Sequence, residues 1–189
     1  MPSLREIVYG IYGAWRLARL DAGGMTYFDR TAEGFWRSFF AAAIIAPAYI
    51  FVIALDAVQR PGDAGLARMV VVYIFAYSLS WTVYPVITYP ICKAMGRQPA
   101  YIGFIVATNW AKVIQMAVYL PVIVIGAGDL LPTGAAALLN SGVYILLLGY
   151  QWFVTRTALD TTGMAAAGLV VLDLFMGLTI DALAVSMLR

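Results

Sequence analysis

Residues 100–126 read AYIGFIVATNWAKVIQMAVYLPVIVIG, an apolar stretch in which Lys112 carries the single charge. A helix that crosses the hydrocarbon core of a bilayer needs about 20 predominantly apolar residues, and this stretch exceeds that length. An ammonium group near the centre of such a helix costs about 2.5–3.5 kcal/mol on insertion scales and usually faces the interior of a bundle. The stretch therefore predicts a membrane-spanning helix that other helices surround.

Four further apolar stretches flank this one and complete the predicted set of spans. The five spans are expected at about Ser38–Val58, Leu66–Cys92, Ala100–Gly126, Gly134–Thr155 and Gly163–Leu188. Only short loops join them, so helices that follow each other in the chain are expected to be antiparallel neighbours. The expected fold class is an all-α, polytopic transmembrane bundle of five helices with an N-terminal amphipathic helix.

The composition agrees with this class. Hydrophobic residues make up 63% of the 189 residues and charged residues 12%. Soluble domains carry about 45–50% apolar and about 25% charged residues, so the composition excludes a water-soluble globular domain, a disordered chain and a coiled coil. Arg outnumbers Lys by ten to two, and Ala and Gly are abundant, which is typical of a GC-rich bacterial coding sequence.

Residues 1–37 form a different kind of segment, which we interpret as a cytoplasmic amphipathic region ahead of a transmembrane domain at residues 38–189. Apolar side chains recur there at helical spacing, at Leu4, Ile7, Val8, Ile11, Trp15 and Ala18. Ser3 and Glu6 have the spacing of a capping box at the start of this helix. The helix could lie in the plane of the lipid headgroups or pack on the cytoplasmic ends of the spans, and the sequence leaves both alternatives open.

Aromatic and basic side chains alternate just before the first span, a pattern typical of an anchor at the membrane interface. Arg and Trp have an apolar body and a polar tip, which suits them to the headgroup zone. The residues predicted to contact this zone or its lipids are Arg5, Arg16, Arg19, Trp36 and Arg37.

The distribution of positive charge predicts the orientation of the chain. With the N-terminus in the cytoplasm, eight basic residues lie inside, namely Arg5, Arg16, Arg19, Arg30, Arg37, Lys93, Arg97 and Arg156. Three lie outside, at Arg60, Arg68 and Arg189. Since cytoplasmic loops are enriched in Lys and Arg, we expect a multi-pass protein of the inner membrane with its N-terminus in the cytoplasm and its C-terminus outside.

Lys112 and Asp173 are the candidate centre of a polar site within the membrane. Lys112 is twelve residues into its span, which is about 18 Å at roughly 1.5 Å per residue, and Asp173 is about 15 Å into a span of the same direction. Their opposite charges and similar depth predict that the two side chains pair inside the bundle.

Further polar residues fall into stripes on the same spans. Thr108, Gln115 and Tyr119 share one helical face with Lys112, and Asn140 and Gln151 lie on the next span. The candidate intramembrane polar site therefore comprises Lys112, Asp173, Thr108, Gln115, Tyr119, Asn140 and Gln151. These side chains could serve as hydrogen-bonding glue around a structural ion pair. Alternatively, they could line a polar path or a binding cavity.

Several kinds of chemistry have no support in the sequence. The chain has no His and one Cys, so we expect no metal site, no cofactor and no catalytic His. The net charge of +2 is spread over the loops, which indicates no nucleic-acid partner. Catalytic sequence motifs are also missing, and we expect a protein that is not an enzyme.

Over about residues 30–189 the architecture resembles that of the Yip1-type small membrane proteins and their bacterial inner-membrane relatives. The similarity consists of five spans, short loops, an outward C-terminus and a longer cytoplasmic N-terminal segment with aromatic and amphipathic character. It implies a five-helix bundle without established catalytic activity. The acidic, Pro-rich segment of eukaryotic members is not evident, so a trafficking role is not carried over.

Two functional hypotheses follow. In the first, the chain is a non-enzymatic scaffold or accessory subunit that contacts membrane lipids and a membrane-protein partner or further copies of itself. In the second, it is a small transporter or proton-coupled carrier that uses Lys112 and Asp173. A carrier needs a water-accessible cavity that reaches Lys112, whereas a scaffold would keep Lys112 sealed against Asp173 by close packing.

Overall fold

The computed structural model describes residues 1–59, 65–128 and 130–188, and within these residues every regular element is helical. The seven α-helices are α1 (Leu4–Ala18), α2 (Ala32–Ser38), α3 (Phe40–Gln59), α4 (Leu66–Ala94), α5 (Tyr101–Ala127), α6 (Thr133–Leu159) and α7 (Gly163–Leu188). Two 3₁₀ turns lie at Ala22–Tyr27 and Gln98–Ala100. Arg60 and Arg189, which enter the charge count above, lie outside the described residues.

The predicted fold class is confirmed, since five of the described helices are long and apolar enough to cross a membrane. They are α3 to α7, and they match the predicted spans closely at most ends. The largest difference is that α6 continues to Leu159. Pro47, Pro85 and Pro121 lie inside α3, α4 and α5 without ending them.

The first half of α5 is the centre of the molecule. Every residue from Gly103 to Ala111 is buried, whereas several positions of the second half are exposed. α1, α2, α3 and α6 pack around α5. The N-terminal segment and the spans therefore share one hydrophobic core, which includes Leu17, Phe28 and Phe104.

The order of packing differs in one respect from the expectation that sequential helices are neighbours. α5, α6 and α7 do pack in sequence, but α3 packs mainly against α5 and α4 mainly against α7. The short connection after α3 fixes only one end of each helix, while the matching of side-chain faces decides their neighbours. As a result, α3 and α4 diverge and leave a gap between them.

α1 packs on the bundle through a face that includes its smallest residues. Gly10 lies against the indole of Trp110 on α5, Gly13 faces the backbone of Gly24, and the Tyr150 hydroxyl donates a hydrogen bond to the Ala14 carbonyl at 2.8 Å. The capping box of Ser3 and Glu6 is formed as predicted. Of the two alternatives, α1 thus packs on the bundle.

Half of the apolar stripe of α1 points away from the bundle, while Ile7, Ile11 and Ala18 pack against the core. Leu4, Val8 and Trp15 are at least half exposed, and they extend a surface that also carries the exposed Leu20. The outer faces of the long helices are equally apolar, with exposed Phe75, Ile145, Leu146, Val171 and Phe175 among others. Such a continuous apolar exterior is what a bundle presents to lipid.

The predicted interfacial residues divide into exposed and paired side chains. Arg5, Arg19 and Trp36 are exposed. Arg16 donates a hydrogen bond to the Asp21 carboxylate at 2.6 Å, and this guanidinium holds the pKa of Asp21 below its ordinary value. Arg37 pairs with the carboxylates of Glu6 and Glu33. Backbone and side-chain hydrogen bonds from Ser3, followed by Arg37, lower the pKa of Glu6.

Candidate functional site

A cavity of about 430 Å³ lies between the five long helices, beyond the buried first half of α5. α3, α4, α5, α6 and α7 each contribute to its wall. Five of the seven residues predicted for the polar site line this cavity, namely Lys112, Gln115, Tyr119, Gln151 and Asp173. Its volume lies within the range of about 300–1,000 Å³ that small-molecule sites occupy.

Lys112 enters the cavity from α5, and its ammonium group contacts aromatic rings. Nζ lies 5.0 Å from the ring centroid of Trp81 and 6.0 Å from that of Tyr84, both on α4. A cation over the face of an aromatic ring is attracted by the ring quadrupole, most strongly over Trp. These rings therefore stabilise the charge of Lys112 at the wall of the cavity.

The predicted ion pair between Lys112 and Asp173 is not formed. Among the described residues, no carboxylate oxygen lies within 4.0 Å of the Lys112 ammonium. Equal depth in two spans does not fix the direction in which each helix points its side chain, and the rotation of α5 turns Lys112 towards α4. The two groups face the same cavity without touching.

α7 supplies two carboxylates to the cavity, Asp173 and Asp181. Eight residues separate them along the helix, which turns them about 80° apart at roughly 3.6 residues per turn. The cavity is wide enough to receive both. Its wall thus carries one ammonium group on α5 and two carboxyl groups on α7, so that charges of both signs face a shared space.

The seam between α5 and α6 holds the remaining predicted polar residues. Gln115 Nε2 donates a hydrogen bond to Gln151 Oε1 at 2.8 Å, and the Tyr119 hydroxyl donates to Asn140 Oδ1 at 2.9 Å. Asn140 does not line the cavity, and its hydrogen bond fixes the position of the Tyr119 hydroxyl. Thr108 is buried one turn before Lys112, and it does not reach the cavity.

Gln151 has an unsatisfied donor at the cavity. Its side chain is 4% exposed, and its Nε2 has no hydrogen-bond partner among the described residues. A buried donor left without a partner costs about 1–3 kcal/mol. Gln151 lies in the cavity wall, but its Nε2 is itself buried, so the side chain has to turn before this donor can bond to a group in the cavity.

Aromatic side chains form much of the remaining wall, at Tyr49, Tyr77, Trp81, Tyr84 and Tyr144. Two of them are fixed by hydrogen bonds, from the Tyr77 hydroxyl to the Ala42 carbonyl at 2.6 Å and from the Tyr84 hydroxyl to the Leu169 carbonyl at 3.3 Å. The sequence reasoning missed Trp81 and Tyr49. For Trp81 a signal exists, since Tyr77, Trp81 and Tyr84 recur at intervals of four and three residues.

The arrangement is suited to non-covalent recognition. It combines an ammonium group, two carboxyl groups, amide and phenol groups, and aromatic faces around one space. A polar molecule that carries charge could find a partner of either sign, and the rings would contact its apolar parts.

No family model matches the chain, and no curated protein or solved structure matches it either. The resemblance to the Yip1-type proteins therefore stays a prediction. The features that bear on function are the geometry of the cavity and the five surrounding helices, which are long and apolar enough to cross a membrane.

Proposed function

We propose that this chain is a small membrane carrier that binds a charged, polar molecule in the cavity between its five spans. One observation supports this role above all. Lys112 and two carboxylates of α7 line one open cavity, and among the described residues Lys112 forms an ion pair with neither of them. Intramembrane ionisable residues of this kind commonly mark substrate or ion pathways.

The scaffold hypothesis is less well supported. It expects Lys112 to be sealed against Asp173 by close packing, because a purely structural charge needs a permanent partner. A cavity of about 430 Å³ beside Lys112 does not serve that purpose.

The two sides of Lys112 differ, and such an asymmetry is expected of a carrier that exposes its site to one side of the membrane at a time. On the side of the N-terminal segment, the path from Lys112 is filled by buried side chains such as Thr108, Phe104 and Tyr84. On the other side, polar lining continues to Tyr119 and Asp181. Transport would require the filled side to open, and the prolines inside α3, α4 and α5 are places where helices bend.

A cysteine-accessibility experiment tests whether water reaches the cavity. In a Cys92→Ala background, Gln115→Cys places a thiol in the cavity wall, while Ala117→Cys places one at similar depth on an exposed face about 200° around α5. We expect a water-soluble, membrane-impermeant thiol reagent to label Gln115→Cys in proteoliposomes much faster than Ala117→Cys. Equal and negligible labelling of both positions would contradict the carrier proposal.

A further inference from the structure

We infer that the molecule taken up by this cavity is a zwitterionic amphiphile, whose headgroup lies in the cavity and whose hydrocarbon chain lies in an adjoining groove between α3 and α4. This inference rests on the proposed function and specifies its substrate class. It is carried by the position and lining of the groove, by its contact with the cavity, and by the charges around the headgroup position.

The groove follows from the divergence of α3 and α4. It has a volume of about 650 Å³ and is lined almost entirely by apolar side chains of these two helices, including Ala46, Ile50, Ala54, Met69 and Val70. Ile50 and Val70 are about half exposed or more, so the groove opens on the outer apolar surface of the bundle. A hydrocarbon chain from the surrounding bilayer can therefore reach it sideways.

Two tyrosines separate the groove from the polar cavity. Tyr49 on α3 and Tyr77 on α4 line both spaces, and their ring centroids lie 4.6 Å apart. The Tyr77 hydroxyl bonds to the Ala42 carbonyl across the same gap. The apolar and polar spaces are thus neighbours that only one ring pair separates. A lipid that occupies both has to pass along the edge of this ring pair, at the junction between its chain and its headgroup.

The charges in the cavity complement a headgroup that carries both signs. Lys112 can bind phosphate oxygens, because no carboxylate among the described residues pairs with its ammonium group. Asp173 and Asp181 on α7 can accept from an ammonium group at the other end of the headgroup. A phosphoethanolamine headgroup presents this combination, whereas a phosphoglycerol headgroup carries no cation for the carboxylates.

The test is native mass spectrometry of the detergent-purified full chain. The probes are a diacyl phosphoethanolamine lipid, a diacyl phosphoglycerol lipid with the same chains, and water-soluble glycerophosphoethanolamine. We expect preferential retention of the phosphoethanolamine lipid, weaker binding of the soluble headgroup, and roughly tenfold weaker lipid retention in Lys112→Gln. Equal retention of both lipids, or no effect of Lys112→Gln, would overturn the headgroup assignment.

A matched pair of variants tests the groove. Ala54→Phe fills the groove, whereas Ala43→Phe adds the same ring to an exposed position of α3 that does not line it. We expect Ala54→Phe to reduce lipid retention while binding of the soluble headgroup persists, and Ala43→Phe to leave both unchanged. If the soluble headgroup binds as well as the lipid and Ala54→Phe has no effect, the hydrocarbon-chain inference is wrong while the carrier proposal stands. The carrier proposal itself fails through the thiol-labelling experiment.

Discussion

Gly10 allows α1 to approach the centre of the bundle because it has no side chain. A Cβ atom at this position would lie 2.4 Å from Cε2 and 2.5 Å from Cδ2 of the Trp110 indole. Trp110 is 4% exposed and is enclosed by the core, so the ring has little room to move. The contact is therefore specific for glycine on one side and for a flat ring on the other.

We expect Gly10→Ala to destabilise the protein, because the added methyl group overpacks this contact. Overpacking of a close contact costs about 1–3 kcal/mol. Thermal unfolding in one detergent, followed by fluorescence, should show a lower midpoint for Gly10→Ala than for the unchanged protein. Gly168→Ala is the control, since no atom lies within 4 Å of its Cβ position and alanine is the better helix former. An unchanged midpoint for Gly10→Ala would show that α1 does not pack here.

Lys112 shows how far sequence reasoning reaches at the scale of one residue. Hydropathy and charge predict that it lies within a span and faces the bundle interior. It lines one cavity with Asp173, but the predicted ion pair between them is not formed. Its direct contact, Trp81, could not be predicted from depth. That contact depends on the rotation of α4 about its own axis, which tertiary packing sets.

α1 illustrates the same limit at the scale of an element. The helix and its capping box follow from the sequence, since Ser3 and Glu6 satisfy backbone N–H groups that the first turn leaves free. The apolar stripe predicts the buried face only in part, because half of its residues are exposed. The helix buries Gly10, Gly13 and Ala14 beside Leu17, and the small side chains let the helix backbones approach closely and gain van der Waals contact.

The end of α1 depends on a charge-assisted contact that is sensitive to pH. Asp21 accepts hydrogen bonds from Arg16 Nε and from the Gly23 N–H, which favour its ionised form and lower its pKa. Because the pKa of Asp21 is lower in the folded protein than in the unfolded chain, the ionised carboxylate stabilises the fold at pH values above the unfolded pKa. This stabilisation is lost as the pH falls through the pKa of the folded protein. Acidification should therefore loosen the turn between α1 and the following 3₁₀ segment.

We expect amide hydrogen exchange in residues 19–28 to accelerate as the pH falls below about 4, after correction for the intrinsic exchange rate, because the Asp21 carboxylate becomes protonated. In Asp21→Asn this segment should exchange faster already at neutral pH and show no further acid-dependent step. Amides in the buried stretch 104–111 of α5 serve as an internal reference. The same acid step in Asp21→Asn would assign it to another group.

At the scale of the whole molecule, the hydrophobic lengths of the spans predict the number of long helices and most of their ends, because each must match the thickness of one bilayer. The span lengths do not predict that α4 packs mainly against α7 rather than against α3. This arrangement produces both the polar cavity and the groove between α3 and α4. Five polar residues of the cavity wall could be predicted from charge and helical stripes, while Trp81, Tyr49 and the open space itself could not, because they depend on how α4 packs.

Most of the basic residues that the structure describes, with the exception of Arg68 and Lys112, lie at one end of the bundle, which bears on its orientation. Phe35 on α2 packs near Tyr101 at the start of α5, with ring centroids 6.4 Å apart, so the N-terminal segment lies at that end. There, Arg97 contacts the Asp160 carboxylate at 3.3 Å and joins the α4–α5 connection to the α6–α7 connection. The three parts of the chain that carry most of the positive charge thus lie together, and charge of this sign is retained in the cytoplasm.

We expect the C-terminus to lie outside the cytoplasm, because an odd number of crossings places the two termini on opposite sides of the membrane. A reporter that is active only outside the cytoplasm should therefore be active when it is fused after residue 189, and a reporter that is active only in the cytoplasm should not. A reporter inserted in the loop at residues 94–98 should give the reverse result and serves as the control within the same chain. Expression in a bacterial host with one cytoplasmic and one extracytoplasmic reporter measures both. A cytoplasmic signal from the C-terminal fusion would mean an inverted chain or an even number of crossings. In the inverted case the loop insertion would change sides as well, so the two fusions together distinguish these outcomes.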